Sequence, residues 1–511
     1  MNRNSIWILP VTLSLILFAF SRPWDILEFG PDEGMELSKA LLLAKKPALA
    51  ERVWNDQPWL YSQIFGALFS QAGFQAWIPR LVTLMSATAF LLSAPRFLPG
   101  KLGFRHVMFI ALFFWTSPNL LHLSLSAMCE LPATALALIA VAALARDREE
   151  RYLLRSVAAA ALFAVAVHIK LTAMLAAPAI LVRFFLMTDF TGDQSELKRQ
   201  PAGAGRAKEA LKCGAVFFIM FSAVWILGWA VAPSWNWGQI LGNHQLAART
   251  SAASEMTFSP QTLFEAPGIL LGTLVGFGLL VRDRERRACA VPLVVYLGTV
   301  MIVHFVNRPW WYYYSVHFFL PLSALGGWAL GELTRSTLNR SVPDLSPQPA
   351  LQRPRAILLC SAVLALWGGF AAFSFRDELV SLRHHTGYAD AELVKVIKGF
   401  RKDVRWLFTR GNIWAAQAEC LIPPELTILS KKRFWTGGTS EEVVVETVER
   451  YNCEVLVLLH EVEPKSPAWE KLLESEYKLV WSDGARDIYA LKTLAYVPPL
   501  DTESVLMRLG M

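Results

Sequence analysis

Two adjacent acids, Asp32 and Glu33 in Phe29-Gly30-Pro31-Asp32-Glu33-Gly34-Met35-Glu36, follow the first apolar run of the chain. Asp56 precedes Gln57-Pro58-Trp59, and Glu130 opens another apolar run. The cations with comparable placement are His168 and Lys170, in His168-Ile169-Lys170-Leu171-Thr172, and His304, Arg308 and His317, around Asn307-Arg308-Pro309-Trp310-Trp311-Tyr312-Tyr313-Tyr314. In a chain this apolar, an ionisable side chain at the edge of an apolar run is a site candidate. Carboxylates facing cations at a lipid surface suit one kind of reaction: a hydroxyl loses its proton while an anionic, lipid-borne leaving group departs. A phosphate ester on a polyprenol is such a group. The sequence carries no Walker loop, no Gly-rich dinucleotide turn after a strand, no Asp-x-Asp and no His-Glu-x-x-His. An activated donor would therefore arrive through the lipid phase. No cofactor is called for, although scattered carboxylates could hold a divalent cation.

These residues meet only if the apolar runs are membrane crossings that bring their ends together. The 511 residues are 54% hydrophobic and 18% charged, with a mean hydropathy of +0.36, which excludes an ordinary soluble enzyme. Runs long enough to cross a ~30 Å hydrocarbon core occur at 5–21, 77–95, 106–122, 126–145, 156–169, 171–188, 212–232, 264–281, 289–306, 314–331 and 356–375, about eleven in all. The chain has a net charge of +7, and alternate loops carry its positive residues: Arg96, Lys101 and Arg105; Arg146, Arg148, Arg151 and Arg155; Lys198, Arg199, Arg206, Lys208 and Lys212; Arg282, Arg284, Arg286 and Arg287; Arg335, Arg340, Arg353 and Arg355. That pattern is a topology signal and implies no nucleic acid. It predicts a cytoplasmic N-terminus, and an odd number of crossings places 376–511 outside. The first run could also be a cleaved signal peptide, with the same resulting topology. Gly272 and Gly276 form a small-xxx-small pair suited to helix packing.

The expected fold is therefore an α-helical multi-pass membrane domain, residues 1–375, carrying a small extracytoplasmic (periplasmic) α/β domain, residues 376–511. The first outside segment, 22–76, predicts two amphipathic helices on the outer membrane surface, Asp32–Lys46 and Pro58–Ala72. In the last domain, strand-like segments at 404–409, 425–430, 454–460, 478–482 and 487–492 alternate with helical patterns at 389–402, 439–452 and 467–475, which predicts a largely parallel sheet. Cys420 and Cys453 could form a disulfide or stand as two core thiols.

Asp32-Glu33 after the first crossing, Asp56-Gln57-Pro58-Trp59 running on to Trp77-Ile78-Pro79-Arg80-Leu81, and Glu130 at the fourth crossing resemble the GT-C superfamily of glycosyltransferases that use polyprenyl-phosphate sugars. The closest likeness is to the bacterial branch related to protein O-mannosyltransferases and the lipid A aminoarabinose transferase. Lys170 before Leu171-Thr172 and the stretch from Tyr314 to Gly327 resemble that branch's helix-start lysine and Tyr-rich late helix. The likeness covers residues 1 to 330, and beyond them only the layout. It implies an inverting transfer at the outer face of a bacterial plasma membrane, from a polyprenyl-phosphate-linked sugar to a glycolipid, polysaccharide or protein acceptor. Asp32 would be the base. Glu33, Glu130 and Asp56 would orient the acceptor or a bound cation. Lys170 and Arg308 would neutralise the departing phosphate, with His304 or His317 assisting and Tyr314 in the substrate-binding set. The family often has Lys-Pro-Pro where this chain has Gln57-Pro58-Trp59.

Plainer roles compete for each residue. Asp32, Glu33 and Glu130 sit where acids answer a helix dipole, and Lys170 could snorkel to the interface. Arg308 and the aromatic run suit a lipid headgroup belt. The alternative function is a transporter or flippase with acids lining its path, and a third reading is an inactive relative that binds a lipid-linked sugar. Bulk on one face only, in 22–76 and 376–511, favours the enzyme.

Overall fold

The computed structural model describes residues 8–99, 102–145, 152–189, 204–281, 284–338, 353–384, 388–400, 404–460 and 466–494. The basic positions Lys101, Arg146, Arg148, Arg151, Lys198, Arg199, Arg282 and Arg340 lie outside the described residues.

Over most of their described length the apolar runs are helical. In chain order the helices are α1 (Ile8–Ser21), α2 (Pro31–Lys45), α3 (Leu60–Ala72), α4 (Trp77–Ser93), α5 (Phe104–Trp115), α6 (Leu120–Leu125), α7 (Glu130–Ala143), α8 (Tyr152–Ile169), α9 (Ala177–Asp189) and α10 (Ala204–Ala230). Three short helices follow, α11 (Asn243–Ala247), α12 (Ser251–Glu255) and α13 (Gln261–Phe264). Four long ones come next: α14 (Pro267–Val281), α15 (Arg284–Val306), α16 (Val316–Leu338) and α17 (Arg353–His384). The segments 77–97, 152–169, 207–230 and 354–380 are long and apolar enough to cross a membrane; at 1.5 Å per residue, 18 residues already span ~27 Å. One expected run, 106–122, is broken. Pro118 lacks an amide donor and Asn119 adopts a left-handed backbone at φ 63°, so α5 ends at Trp115 and α6 starts afresh.

Within the bundle α5, α14 and α17 pack on α16 or α14, while α7, α8 and α10 pack in sequence. Gly272 and Gly276 let α14 approach α16 closely: a Cβ on Gly272 would lie 3.2 Å from the Gly326 Cα. At one end of the bundle meet the C-termini of α8 and α15, the N-termini of α4, α7 and α16, and the loop after α1. That end carries α2 and α3.

Helix α2 does not lie on a surface with one wet face. Glu36, Leu37, Ser38, Lys39, Ala40, Leu41 and Leu42 are all buried in succession, because α3 covers one side and a later helix the other. The buried Lys39 ammonium donates to Glu36 at 2.7 Å, and the Ser62 hydroxyl donates to the other Glu36 oxygen at 2.7 Å. A charge pair enclosed in this way survives only when its lone pairs are filled.

The later part of the chain runs α18 (Tyr388–Phe400), β1 (Leu407–Thr409), α19 (Asn412–Gln417), α20 (Lys431–Trp435), α21 (Glu441–Tyr451), β2 (Val455–Leu459), α22 (Pro467–Glu476), β3 (Tyr477–Ser482) and β4 (Arg486–Leu491). The sheet has four strands in the order β1-β2-β4-β3. It is mostly antiparallel rather than parallel: β1 and β2 are parallel, and β4 runs against both β2 and β3. The reason lies in Asp483-Gly484, where Gly484 takes φ +82° and turns β3 straight back into β4 as a hairpin. The expected strand at 425–430 is instead a 3₁₀ turn, Pro424–Leu426, leading to α20, because Pro423 and Pro424 can donate no ladder hydrogen bonds. Cys420 and Cys453 are both buried and are not joined in a disulfide.

Helix α19 seats on α2 at Gly34. A Cβ there would come 2.6 Å from the Ile413 backbone nitrogen. Gly34→Val is therefore expected to loosen α19 from α2 at a cost of about 1–3 kcal/mol. Limited proteolysis checks this by earlier cleavage in 388–494; an unchanged digestion pattern would mean that the contact yields without cost.

Candidate active site

Asp32 enters the site from the first turn of α2. Pro31 at the helix start fixes the backbone, and the segment before it is held by Arg80 of α4. The fully buried Arg80 guanidinium donates to the carbonyls of Pro23, of Ile26 at 2.6 Å and of Leu27 at 3.0 Å. It also donates to both oxygens of Glu33, at 2.8 and 3.0 Å. Glu33 additionally accepts from the amides of Phe29 and Ala127, each at 2.7 Å. Glu33 is thus sealed, with its lone pairs filled by Arg80 and the backbone, and it has no free oxygen for a substrate. Its contacts are those of a brace under Asp32.

Asp32 itself is partly exposed and points the other way. The Tyr313 hydroxyl is hydrogen-bonded to it, and Lys170, Lys432 and Asp56 lie close enough to act on its charge. Burial pushes its carboxyl above the ordinary range, while Lys170 and Lys432 pull against that rise. Lys170, at the junction between α8 and the 3₁₀ turn Leu171–Ala176, is buried and ion-paired with Glu130 at the start of α7. Its ammonium lies 5.0 Å from the centre of the Tyr313 ring.

Asp56 is buried and takes an ion pair from Lys432 of α20. His244 of α11 stands 3.7 Å from the same Asp56 oxygen and 3.5 Å from the Lys432 ammonium. Burial opposes ionisation of Asp56, but Lys432 and His244 outweigh it and hold the carboxyl down at about 2. Burial and the neighbouring Lys432 push His244 down to about 4. The Gln57 amide nitrogen donates to Asn55 Oδ1 at 3.3 Å, and the Asn55 side chain donates back to the Gln57 carbonyl at 2.6 Å. Where the resemblance leads one to expect a lysine after Asp56, the cation beside Asp56 comes from α20.

His304 and His317 pair at 2.9 Å, and Tyr314 stacks on both, with ring centres 5.1 and 5.6 Å away. Both histidines are buried in an aromatic nest with Trp310 and Phe318. They support Tyr313 from behind through the edge-on Tyr313–Tyr314 contact at 5.0 Å. His168 is satisfied in the core, bonded to the Trp225 carbonyl at 3.0 Å and stacked on its ring. Arg308 is exposed, and none of the contacts of the cluster involves it.

The structure therefore brings together Asp32, Asp56, Glu130 and Lys170, keeps Tyr314, His304 and His317 one layer back, and leaves Arg308 outside. Tyr313, Lys432, His244 and Arg80 are additional. Arg80 did carry a signal, a cation in the first turn of an apolar helix. Lys432, inside Lys431-Lys432-Arg433, has the look of a solvated charge run. Among the described residues no group of three or more His, Cys, Asp or Glu gathers as metal ligands. Asp56 and Glu130 are each engaged by a lysine and Asp32 by Tyr313, so the donor set does not fit a divalent cation.

No protein-family model and no curated protein sequence matches the chain. Its fold, however, is similar to solved structures along nearly its whole length. ArnT from Cupriavidus metallidurans bound to undecaprenyl phosphate superposes with a TM-score of 0.63 at 14% identity, covering 96% of this chain and 98% of that one. The apo state of the same protein gives a TM-score of 0.59 at 15% identity, covering 94% and 97%. The oligosaccharyltransferase of Archaeoglobus fulgidus in its apo form gives 0.55 at 12% identity, covering 98% of this chain and 75% of that one. The chain shares the fold of these proteins, and four helices among its described residues are long and apolar enough to cross a membrane.

Proposed function

We propose that this protein is a GT-C glycosyltransferase that moves a sugar from a polyprenyl-phosphate carrier to an acceptor hydroxyl at the outer face of the bacterial plasma membrane. The observation that carries this reading is the placement of one partly exposed carboxylate, Asp32, between two buried lysines, Lys170 and Lys432, that act on its charge. In the transfer the acceptor O–H proton passes to Asp32. The acceptor oxygen bonds to the anomeric carbon, and the bond from that carbon to the phosphate oxygen breaks on the opposite face, inverting the configuration. Lys170 and Lys432 meet the negative charge that builds on the departing phosphate, in a site already short of water. Glu130 and Asp56 hold those ammonium groups when no phosphate is present. Tyr313 sets the direction of the Asp32 carboxylate. In this reading residues 1–375 form the membrane domain with eleven crossings and a cytoplasmic N-terminus, and 376–511 form an outside domain that lends α20 to the site. The likeness of fold to ArnT, crystallised with undecaprenyl phosphate, supports a lipid phosphate as the donor's carrier.

The test is binding of radiolabelled undecaprenyl phosphate to the purified full chain in detergent, with undecaprenol as control. Wild type is expected to retain the phosphate far better than the alcohol. Lys170→Gln, which keeps the side chain polar but removes the charge, is expected to weaken retention at least about ten-fold, in line with loss of a charge-assisted contact. Equal retention of phosphate and alcohol by wild type would sink the reading.

A further inference from the structure

A groove of about 1110 Å³ opens on the flank of α17, apart from the lysine cluster. Its apolar bed is formed by Leu366, Phe370 and Phe373, which are 40, 50 and 67% exposed and look outward from a helix long and apolar enough to cross a membrane. The groove runs inward to Phe29, Gly30 and Tyr312, and Gly30 lies two residues before Asp32. The Tyr312 hydroxyl fills the place a Cβ on Gly30 would take, 2.7 Å away, so the inner wall is drawn tight against the backbone that leads to the base. Among the described lining residues the acidic side chains are Glu265, Asp377 and Glu378, with His122 beside them and no lysine or arginine. Glu378 anchors the floor by accepting the amides of Asn119 at 2.6 Å and His122 at 3.3 Å.

An anionic headgroup would meet three acidic side chains here and, among the described lining residues, no lysine or arginine, whereas Lys170 and Lys432 offer it the opposite field in their own cluster. Carboxylates are acceptors and take hydrogen bonds from hydroxyls, and the faces of Phe29, Tyr312 and Phe370 suit the C–H face of a sugar ring. A pocket of this size with an apolar bed and few polar groups is large enough for a lipid head and the first part of its chains. We propose that this groove is the acceptor site, and that it takes a chain-bearing lipid with an uncharged, hydroxyl-rich head, entering from the bilayer along α17 and presenting its hydroxyl past Gly30 to Asp32. The proposal rests on Asp32 being the base and adds the class of the acceptor: a neutral glycolipid rather than a phosphorylated one.

The experiment uses the full chain in phosphatidylcholine nanodiscs with two photoactivatable lipids of identical diazirine-bearing chains, a monoglucosyl diacylglycerol and a phosphatidic acid. Labelled positions are read by mass spectrometry. The glucolipid is expected to label 365–378 about ten-fold more than the phosphatidic acid does. Gly369→Trp, at a position where an added Cβ meets nothing within 4 Å, is expected to fill the groove and abolish that labelling. Glu265→Gln with Asp377→Asn is expected to raise phosphatidic acid labelling several-fold. Equal labelling by both lipids in wild type, or labelling that Gly369→Trp leaves unchanged, would mean that ordinary bilayer lipid covers α17 and would overturn the proposal. Photoactivatable undecaprenyl phosphate, followed at 168–176 in the same nanodiscs, keeps the two readings apart. Its labelling should survive Gly369→Trp, and its absence in wild type would count against the donor site rather than the groove.

Discussion

Asp32→Asn is expected to lower kcat by about a thousand-fold while leaving the fold and the retention of undecaprenyl phosphate intact, since a positioned general base contributes roughly 10²–10⁴ in rate. Asparagine preserves the size of the side chain and its hydrogen bond from Tyr313 but cannot take a proton. The same residue sets the pH profile. Burial raises the Asp32 carboxyl above its ordinary range, and the base works only when ionised. The acid limb of kcat/KM should therefore lie above the usual aspartate pKa, with activity rising as pH rises through it. Asp56, held at about 2 by Lys432 and His244 against the effect of burial, stays ionised over that range and does not shape the limb. Turnover of a radiolabelled polyprenyl-phosphate sugar by a folded Asp32→Asn protein at more than a tenth of the wild-type rate would remove Asp32 from the chemistry.

The second large effect is on folding. Arg80→Ala leaves the Glu33 carboxylate buried without its cation and frees the carbonyls of Pro23, Ile26 and Leu27. Breaking a buried pair on one side typically costs about 3–5 kcal/mol. The expected outcome is a large fall in thermal stability in detergent, or failure to accumulate in the membrane. Glu33→Gln keeps the shape and most hydrogen bonds, so it should be milder in stability. If Glu33 braces Asp32 without touching substrate, Glu33→Gln should lower kcat without changing the position of the acid limb. A Glu33→Gln protein of normal stability and displaced pH profile would return Glu33 to the reacting groups.

The apolar helices were legible because a run of some 20 apolar residues has few other fates. The break at Pro118-Asn119 was also written in the chain, but apolar neighbours on both sides outweighed two turn residues in a hydropathy window. The burial of α2 was not legible. Its second cover, α19, lies some 375 residues away in the sequence, and no local periodicity reports a partner so distant. The hairpin at Asp483-Gly484 carries its signature in two residues, but alternating helices and strands suggested parallel pairing first. In the site, Asp32, Asp56, Glu130 and Lys170 stood out because charge is rare at the ends of apolar helices. Lys432 did not, because in a polar segment a lysine is ordinary. Glu33 could not be told from Asp32 for a related reason: two adjacent acids look alike on paper, but successive residues of a helix face directions ~100° apart, and here one turns toward Arg80 and the other toward Lys170.

The ion pair between Asp56 and Lys432 joins residues 376 positions apart. A ribosome making this chain finishes the acids, Lys170 and the groove-lining helix long before it reaches Lys432. Until α20 emerges and docks, an unfinished chain already seated in the bilayer would hold the proposed base but only part of the charge that the proposed transfer needs to release its leaving group. In the proposed transfer, synthesis of α20 is therefore the step that completes the catalyst, and a chain ended before residue 430 should sit in the membrane and leave lipid-borne sugars untouched.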